Sequence, residues 1–184
     1  MNTLMAPLAE LEEFEQLNRS MQKEEFPVNV IGCMDTQKSH LIYGAGSGYR
    51  SRLVITHNEM RAKELVEDLK LYEKNTAILY YPAKDFIFYS ADVHGQAIVK
   101  ERLRVIKKLV EKEPVTIVTT IDGGMDYCLP FEEYKKHSIF IREGDSIDLD
   151  KLRSRLIYIG YENAAQVERE GEFSVRGGII DVFP

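Results

Sequence analysis

The stretch of sequence that decides the fold reads VNVIGCMDTQKS and occupies residues 28–39. Its first four residues are mostly β-branched and predict a short strand at 28–31. A loop follows, and Lys38 and Ser39 then begin a helix, which is the layout of a phosphate-binding loop. The pattern G-x-x-x-x-G-K-[ST] is met at Gly32, Lys38 and Ser39.

Two residues depart from that pattern. Gln37 stands where the second glycine belongs, and its Cβ obstructs the turn by which backbone N–H groups close on phosphates. Asp35 adds a carboxylate where a phosphate would sit, and like charges repel. We therefore expect a degenerate phosphate loop that does not support ATP hydrolysis. Its residues are Gly32, Asp35, Gln37, Lys38 and Ser39. The alternative is a P-loop nucleotide-binding enzyme, in which Lys38 holds phosphate and Ser39 holds magnesium.

The rest of the first two thirds alternates between strand and helix patterns. Strands are predicted at 52–56, 76–81 and 115–119, and helices at 7–25, from 38 to about 43, at 58–72 and at 96–112. The glycine-rich run 44–48 is expected to fray the end of the second helix, and the aromatic stretch 84–95 to be irregular. Such alternation is typical of an α/β domain with a parallel sheet covered on both faces.

The pattern changes after Pro130. A strand is predicted at 138–141, then a helix that Ser146 or Asp148 caps and Gly160 ends. Short antiparallel strands are expected at 164–168, 173–175 and 178–182, around turns at Gly171 and Gly177. We therefore expect three parts, namely an N-terminal helix (1–27), a helicase-like α/β domain (28–130) and a small α+β domain (131–184) cut short at its C-terminal end.

Composition narrows the function classes. The 24 basic and 30 acidic residues give a net charge of −6, so a broad basic field for nucleic acid is not expected, and a protein partner fits better. Cys33 and Cys128 are expected to be ordinary thiols, and the four histidines lack metal-ligand spacing. No signal peptide or membrane span is predicted, which favours a cytoplasmic protein. We expect no catalytic residue, metal or cofactor.

The last fourteen residues, GEFSVRGGIIDVFP at 171–184, carry a more specific signal. They resemble the signature G-E-F-x-x-R-G-G-[IL]-[IL]-D-[IV]-[FY]-P of bacterial transcription-repair coupling factors (Mfd), and UvrB has a related version. The similarity extends back through 159–162, 144–149, 101–103, 81–83 and 53–58. The chain thus resembles the N-terminal UvrB-like module of that family, a helicase-like domain (1a) without ATPase activity followed by most of domain 2.

The resemblance implies a role in transcription-coupled nucleotide excision repair. In that family domain 2 recruits UvrA, so that the excision machinery reaches a stalled RNA polymerase. A separate C-terminal motor translocates on DNA using ATP, so this fragment is not expected to be an enzyme, and RNA polymerase and DNA are contacted by other regions. Between Tyr81 and Gly95 there is no room for the long DNA-clamping hairpin of UvrB, which favours the coupling factor.

The same resemblance supplies candidate UvrA-binding residues. UvrB pairs two arginines in an R-x-R-G sequence, whereas here the first position is Ser174 and only Arg176 remains. Arg176 is therefore the expected charged anchor, because a guanidinium can pair bidentately with a carboxylate. Secondary candidates are its neighbours Arg169, Glu172 and Phe173. Burial in the small domain is the expected role of Phe173 and Phe183.

Overall fold

The computed structural model describes residues 4–84 and 91–184, the side chains of 91–96 excepted. The chain divides into two compact units, of which the first ends at Cys128 and the second is Leu129–Pro184.

The first unit alternates helices and strands. Its elements are α1 (Ala6–Ala9), α2 (Glu12–Gln22), α3 (Asp35–Gly46), β1 (Ser51–Thr56), α4 (Glu59–Tyr72), β2 (Ala77–Tyr81), α5 (Ala91–Val110), β3 (Val115–Thr120) and α6 (Ile121–Met125). The three strands form a parallel sheet in the order β1-β3-β2, with Leu53 and Leu79 flanking Ile117. The predicted parallel α/β sheet is confirmed.

Helices cover both faces of this sheet. Val118 of β3 and Ile78 of β2 lie in one core cluster with side chains of α3 and α4, among them Leu69, which is 1% exposed. Arg102 of α5 lies over the ring of Tyr81, which points to the other face because side chains alternate along a strand. All six residues of the central strand β3 are buried. As predicted, Asn58 caps α4, its Oδ1 accepting from the backbone N–H of Arg61 at 2.8 Å.

The strand predicted at 28–31 is not formed. These residues have no regular structure, and the side chain of Ile31 is 93% exposed. A β-branched run favours an extended chain, but a strand also needs a neighbour with which to pair. Helix α3 begins at Asp35, three residues before the predicted start. The strand that should precede a phosphate loop is therefore missing from the described sheet.

The N-terminal helix prediction is also wrong in part. The chain breaks at Leu11, whose extended backbone separates α1 from α2. Leu8 and Phe14 are both buried and lie over Gly44 of α3, where an added Cβ would come within 2.5 Å of Leu8 Cδ1. Gly44 therefore permits close packing of α1 and α2 against α3, whereas the glycine-rich run 44–48 was predicted to fray the end of this helix. Helix α3 ends at Gly46.

Helix α5 differs from the prediction at its start and in its buried face. It begins at Ala91, so 91–95 are helical, while 85–90 lie outside the described residues. The apolar side chain of Leu103 is 46% exposed, whereas the buried positions include Arg102 and Val105. A charged residue at a buried position cannot be recognised from apolar spacing alone.

The second unit is smaller. Its elements are α7 (Phe131–Lys136), α8 (Leu149–Tyr158), β4 (Glu162–Asn163), β5 (Glu172–Arg176) and β6 (Ile179–Val182). Asp148 caps α8 by accepting from the N–H groups of residues 150 and 151, and Gly160 follows the helix with φ +100°, as predicted. Leu152 and Leu156 of α8 bury Phe173 of β5, which is 0% exposed.

Two strand predictions for this unit fail. Residues 138–141 form no strand, and no strand spans 164–168. A two-residue strand, β4, lies just before that second segment and pairs parallel with β5, so the expected antiparallel arrangement holds only for β5 and β6. Gly171 and Gly177 have positive φ at the predicted turns. The small sheet is therefore mixed.

Candidate functional site

The residues of the degenerate phosphate loop satisfy one another. Lys38 Nζ lies 2.6 Å from Asp35 Oδ1, within the same helix turn. The Gln37 side chain folds back, so that its Oε1 accepts from the backbone N–H of Met34 at 3.1 Å. This N–H and this ammonium group are the kind of donors that a phosphate would use. Here the side chains of Gln37 and Asp35 accept from them instead.

Ser39 and Asp35 are fixed in the same way. The Ser39 side chain is buried, and its hydroxyl is directed at the carbonyl oxygen of Thr36 at 3.5 Å. Arg61 of α4 donates to the Asp35 carbonyl at 2.9 Å, which ties the start of α3 to the next helix. The hydrogen bond and charge of Lys38 hold the pKa of Asp35 below its usual range. A carboxylate that stays ionised at the start of α3 opposes a bound phosphate.

Within 4–84 and 91–184, no group of three or more His, Cys, Asp and Glu side chains could hold a metal ion. Among the helices described, none is long and apolar enough to cross a membrane. The buried ion pair between Arg102 and Asp126 is structural, since Arg102 also donates to the Pro82 carbonyl at 2.8 Å.

The second candidate site is the face of the small sheet that points away from α8. Phe173, Val175, Ile180 and Val182 face α8. Because side chains alternate along strands, their neighbours point to the opposite side. We call this opposite side the arginine face. It comprises Glu172, Ser174 and Arg176 of β5, Ile179 and Asp181 of β6, and Arg169 beside β5.

One half of the arginine face is covered by the connection between β4 and β5. Ser174 Oγ donates to the Ala165 carbonyl at 3.1 Å and is buried. Glu172 is 8% exposed, and its Oε2 accepts from the backbone N–H groups of Glu168 and Arg169. These hydrogen bonds hold the pKa of Glu172 below its usual range, with a further contribution from the Arg169 guanidinium.

The other half is open to solvent. The Arg176 side chain is 65% exposed, and its Nη2 pairs with Asp181 across the hairpin. Ile179, directly opposite Arg176 on β6, is 66% exposed. The arginine face therefore presents a guanidinium beside an exposed aliphatic side chain, a combination that suits a protein interface.

The four predicted UvrA-binding residues separate into two classes. Arg169 and Arg176 reach solvent, and the Arg169 side chain is 78% exposed. Glu172 and Phe173 are buried, so neither presents a surface to a partner. The prediction that Phe173 is buried is confirmed. The same prediction for Phe183 is wrong, because this side chain is 42% exposed.

Sequence reasoning missed Ile179 and Asp181 as members of the same face. The signal was present, because Gly177 and Gly178 form a two-residue turn between strands. Such a turn fixes the register and places Arg176 opposite Ile179. Asp181 then lies diagonally from Arg176, within reach of its guanidinium.

Comparison with known proteins bears on both units. Residues 139–184 match the UvrB interaction domain family. The transcription-repair-coupling factor of Bacillus subtilis is 30% identical over 176 residues, which cover 89% of this chain and 15% of that protein. Its counterpart in Staphylococcus haemolyticus is 31% identical over 135 residues, or 73% of this chain and 12% of that protein.

The chain thus spans about an eighth to a seventh of the length of these relatives. The match nevertheless runs through both compact units, since a third relative, from Staphylococcus epidermidis, aligns with 96% of the chain at 25% identity. The resemblance found in the terminal signature is confirmed. Over most of its length the chain belongs to the transcription-repair-coupling factor family, and it carries a UvrB interaction domain at residues 139–184.

Proposed function

We propose that this chain is the UvrA-recruiting module of a transcription-repair coupling factor and acts in transcription-coupled nucleotide excision repair. The observation that carries this proposal is the exposed Arg176 on the open half of the arginine face, within the UvrB interaction domain. RNA polymerase and DNA are contacted by other regions of the full-length protein, which also supply the ATP-driven motor.

Arg176 suits the role of charged anchor. Its pairing with Asp181 uses Nη2 and leaves further donors of the guanidinium fork for a carboxylate of UvrA. Ile179 lies beside it and can lose exposed apolar surface on binding. An arginine next to a desolvated aliphatic side chain is a common composition of a binding hot spot.

The test is the affinity of the purified chain for immobilised UvrA. Arg176→Ala should weaken binding by at least about fivefold, which corresponds to about 1 kcal/mol. Arg153→Ala is the matched control, because Arg153 is an exposed arginine on α8, the helix that packs on the opposite face. Equal affinities of the two variants would exclude Arg176 as the anchor.

We also propose that the first unit is a helicase-like domain, equivalent to domain 1a of UvrB, whose degenerate phosphate loop does not bind nucleotide. Supporting this are the parallel sheet and the mutual pairing of Asp35 with Lys38 and of Gln37 with Met34. We propose for the two domains the same limits as in the sequence analysis, 28–130 and 131–184.

Calorimetry with Mg-ATP tests the proposed loss of nucleotide binding. The chain should give no binding heat up to millimolar nucleotide, and neither should Lys38→Ala. Micromolar binding that disappears in Lys38→Ala would instead establish the P-loop enzyme alternative, with Lys38 and Ser39 as its ligands.

A further inference from the structure

Glu172 is a buried carboxylate whose partners all lie in one short segment. Its Oε2 accepts from the N–H groups of Glu168 at 2.8 Å and Arg169 at 3.0 Å. Its Oε1 lies 3.0 Å from both Nε and Nη2 of Arg169. Both oxygens are thus used, and the carboxylate fixes the backbone and the side chain of residue 169 together.

This arrangement orients an exposed guanidinium. Most charged side chains on a surface sample many rotamers, and fixing one of them on binding costs conformational entropy. Arg169 is 78% exposed, yet one edge of its guanidinium, Nε and Nη2, faces the nearly buried Glu172. The other edge, formed by Nη1 and the second N–H of Nη2, remains for a carboxylate from outside.

Arg169 and Arg176 lie at opposite ends of the arginine face. Glu172, which holds Arg169, precedes Arg176 by four strand residues, or about 13 Å at a rise of about 3.3 Å per residue. Between them Ser174 is buried beneath the β4–β5 connection and offers no contact. The two arginines are therefore attached to the arginine face at separate points of its backbone.

We propose that Arg169 is a second anchor for UvrA and that Glu172 is the positioning residue that presents it. This inference rests on the proposed recruitment of UvrA. The surface of UvrA that contacts this face is accordingly acidic. Charge complementarity supports this occupant, because both exposed guanidinium groups of the face already bind carboxylates within the chain, Glu172 and Asp181.

The experiment is a double-mutant cycle on UvrA affinity. Arg169→Ala should weaken binding at least about fivefold relative to the control Arg153→Ala. Glu172→Gln should weaken binding to a similar degree in the otherwise unchanged chain, and should have no further effect in the Arg169→Ala background. Arg169→Lys should not restore affinity, since an ammonium group cannot bind Glu172 and a partner through two parallel edges.

A separate readout distinguishes positioning from folding. The Nε–H signal of Arg169 in ¹⁵N NMR spectra should be protected from solvent exchange. Glu172→Gln should remove that protection, while the backbone amide signals of β5 and β6 remain those of a folded unit. If Arg169→Ala binds UvrA like Arg153→Ala, the second anchor is refuted although recruitment through Arg176 stands. If Glu172→Gln still weakens binding in the Arg169→Ala background, Glu172 does not act by positioning Arg169, and that role is refuted. If the unchanged chain fails to bind UvrA, the proposed function and this inference fall together.

Discussion

Replacement of Phe173 by alanine should destabilise the second unit by about 3–5 kcal/mol while leaving the stability of the first unit unchanged. Phe173 is 0% exposed and packs against Leu152 and Leu156 of α8. A buried Phe→Ala change costs about 3–5 kcal/mol. A unit of about 56 residues has a stability of about 3–8 kcal/mol at the usual 0.05–0.15 kcal/mol per residue. The substitution therefore removes between about a third and all of the stability of this unit.

Urea unfolding combined with segment-resolved hydrogen exchange measures this directly. Exchange protection of residues 172–182 should collapse in Phe173→Ala, while β1 and β3 keep theirs. Phe183→Ala is the matched control and should cost less than about 1 kcal/mol, because Phe183 is 42% exposed. If the two variants unfold alike, the assignment of Phe173 to the core and not to the UvrA contact is refuted.

Two further outcomes follow from the packing. The lowered pKa of Glu172 means that its contribution to stability is complete above the ordinary glutamate pKa, about 4.3, and is lost as the pH falls through the lower value of the folded state. Glu172→Gln should therefore flatten the acid limb of a stability–pH curve between about pH 5 and pH 3, and an unchanged limb would contradict the pairing. Gly123→Ala should lower the thermal midpoint of the first unit, since a Cβ there would lie 2.5 Å from Thr119 Oγ1 and 3.1 Å from the Tyr81 carbonyl oxygen; an unchanged midpoint would show that this contact relaxes freely.

Local patterns predicted the three strands of the parallel sheet and two of the helix caps. The strands around 52–56, 76–81 and 115–119 and the caps at Asn58 and Asp148 depend on alternation or on a hydrogen bond within three residues. The run at 28–31 looked equally strand-like but pairs with no strand in the described part of the chain. Its fate depends on tertiary pairing, which β propensity does not encode.

The candidate site was predictable to a similar extent. The terminal signature drew attention to Arg176, and the expected burial of Phe173 in the small domain is what the structure has. The contacts of Glu172 could not be read from the sequence, because they require the β4–β5 connection to fold back over the sheet. Arg102 shows the same limit, since its partner Asp126 is 24 residues away in the sequence.

The most direct test of the account is size-exclusion chromatography of the purified chain mixed with UvrA. The chain should co-elute with UvrA in the absence of nucleotide. Arg153→Ala should co-elute equally, whereas Arg176→Ala should lose most of the complex. Separate elution of the unchanged chain and UvrA at concentrations of tens of micromolar would contradict the central claim.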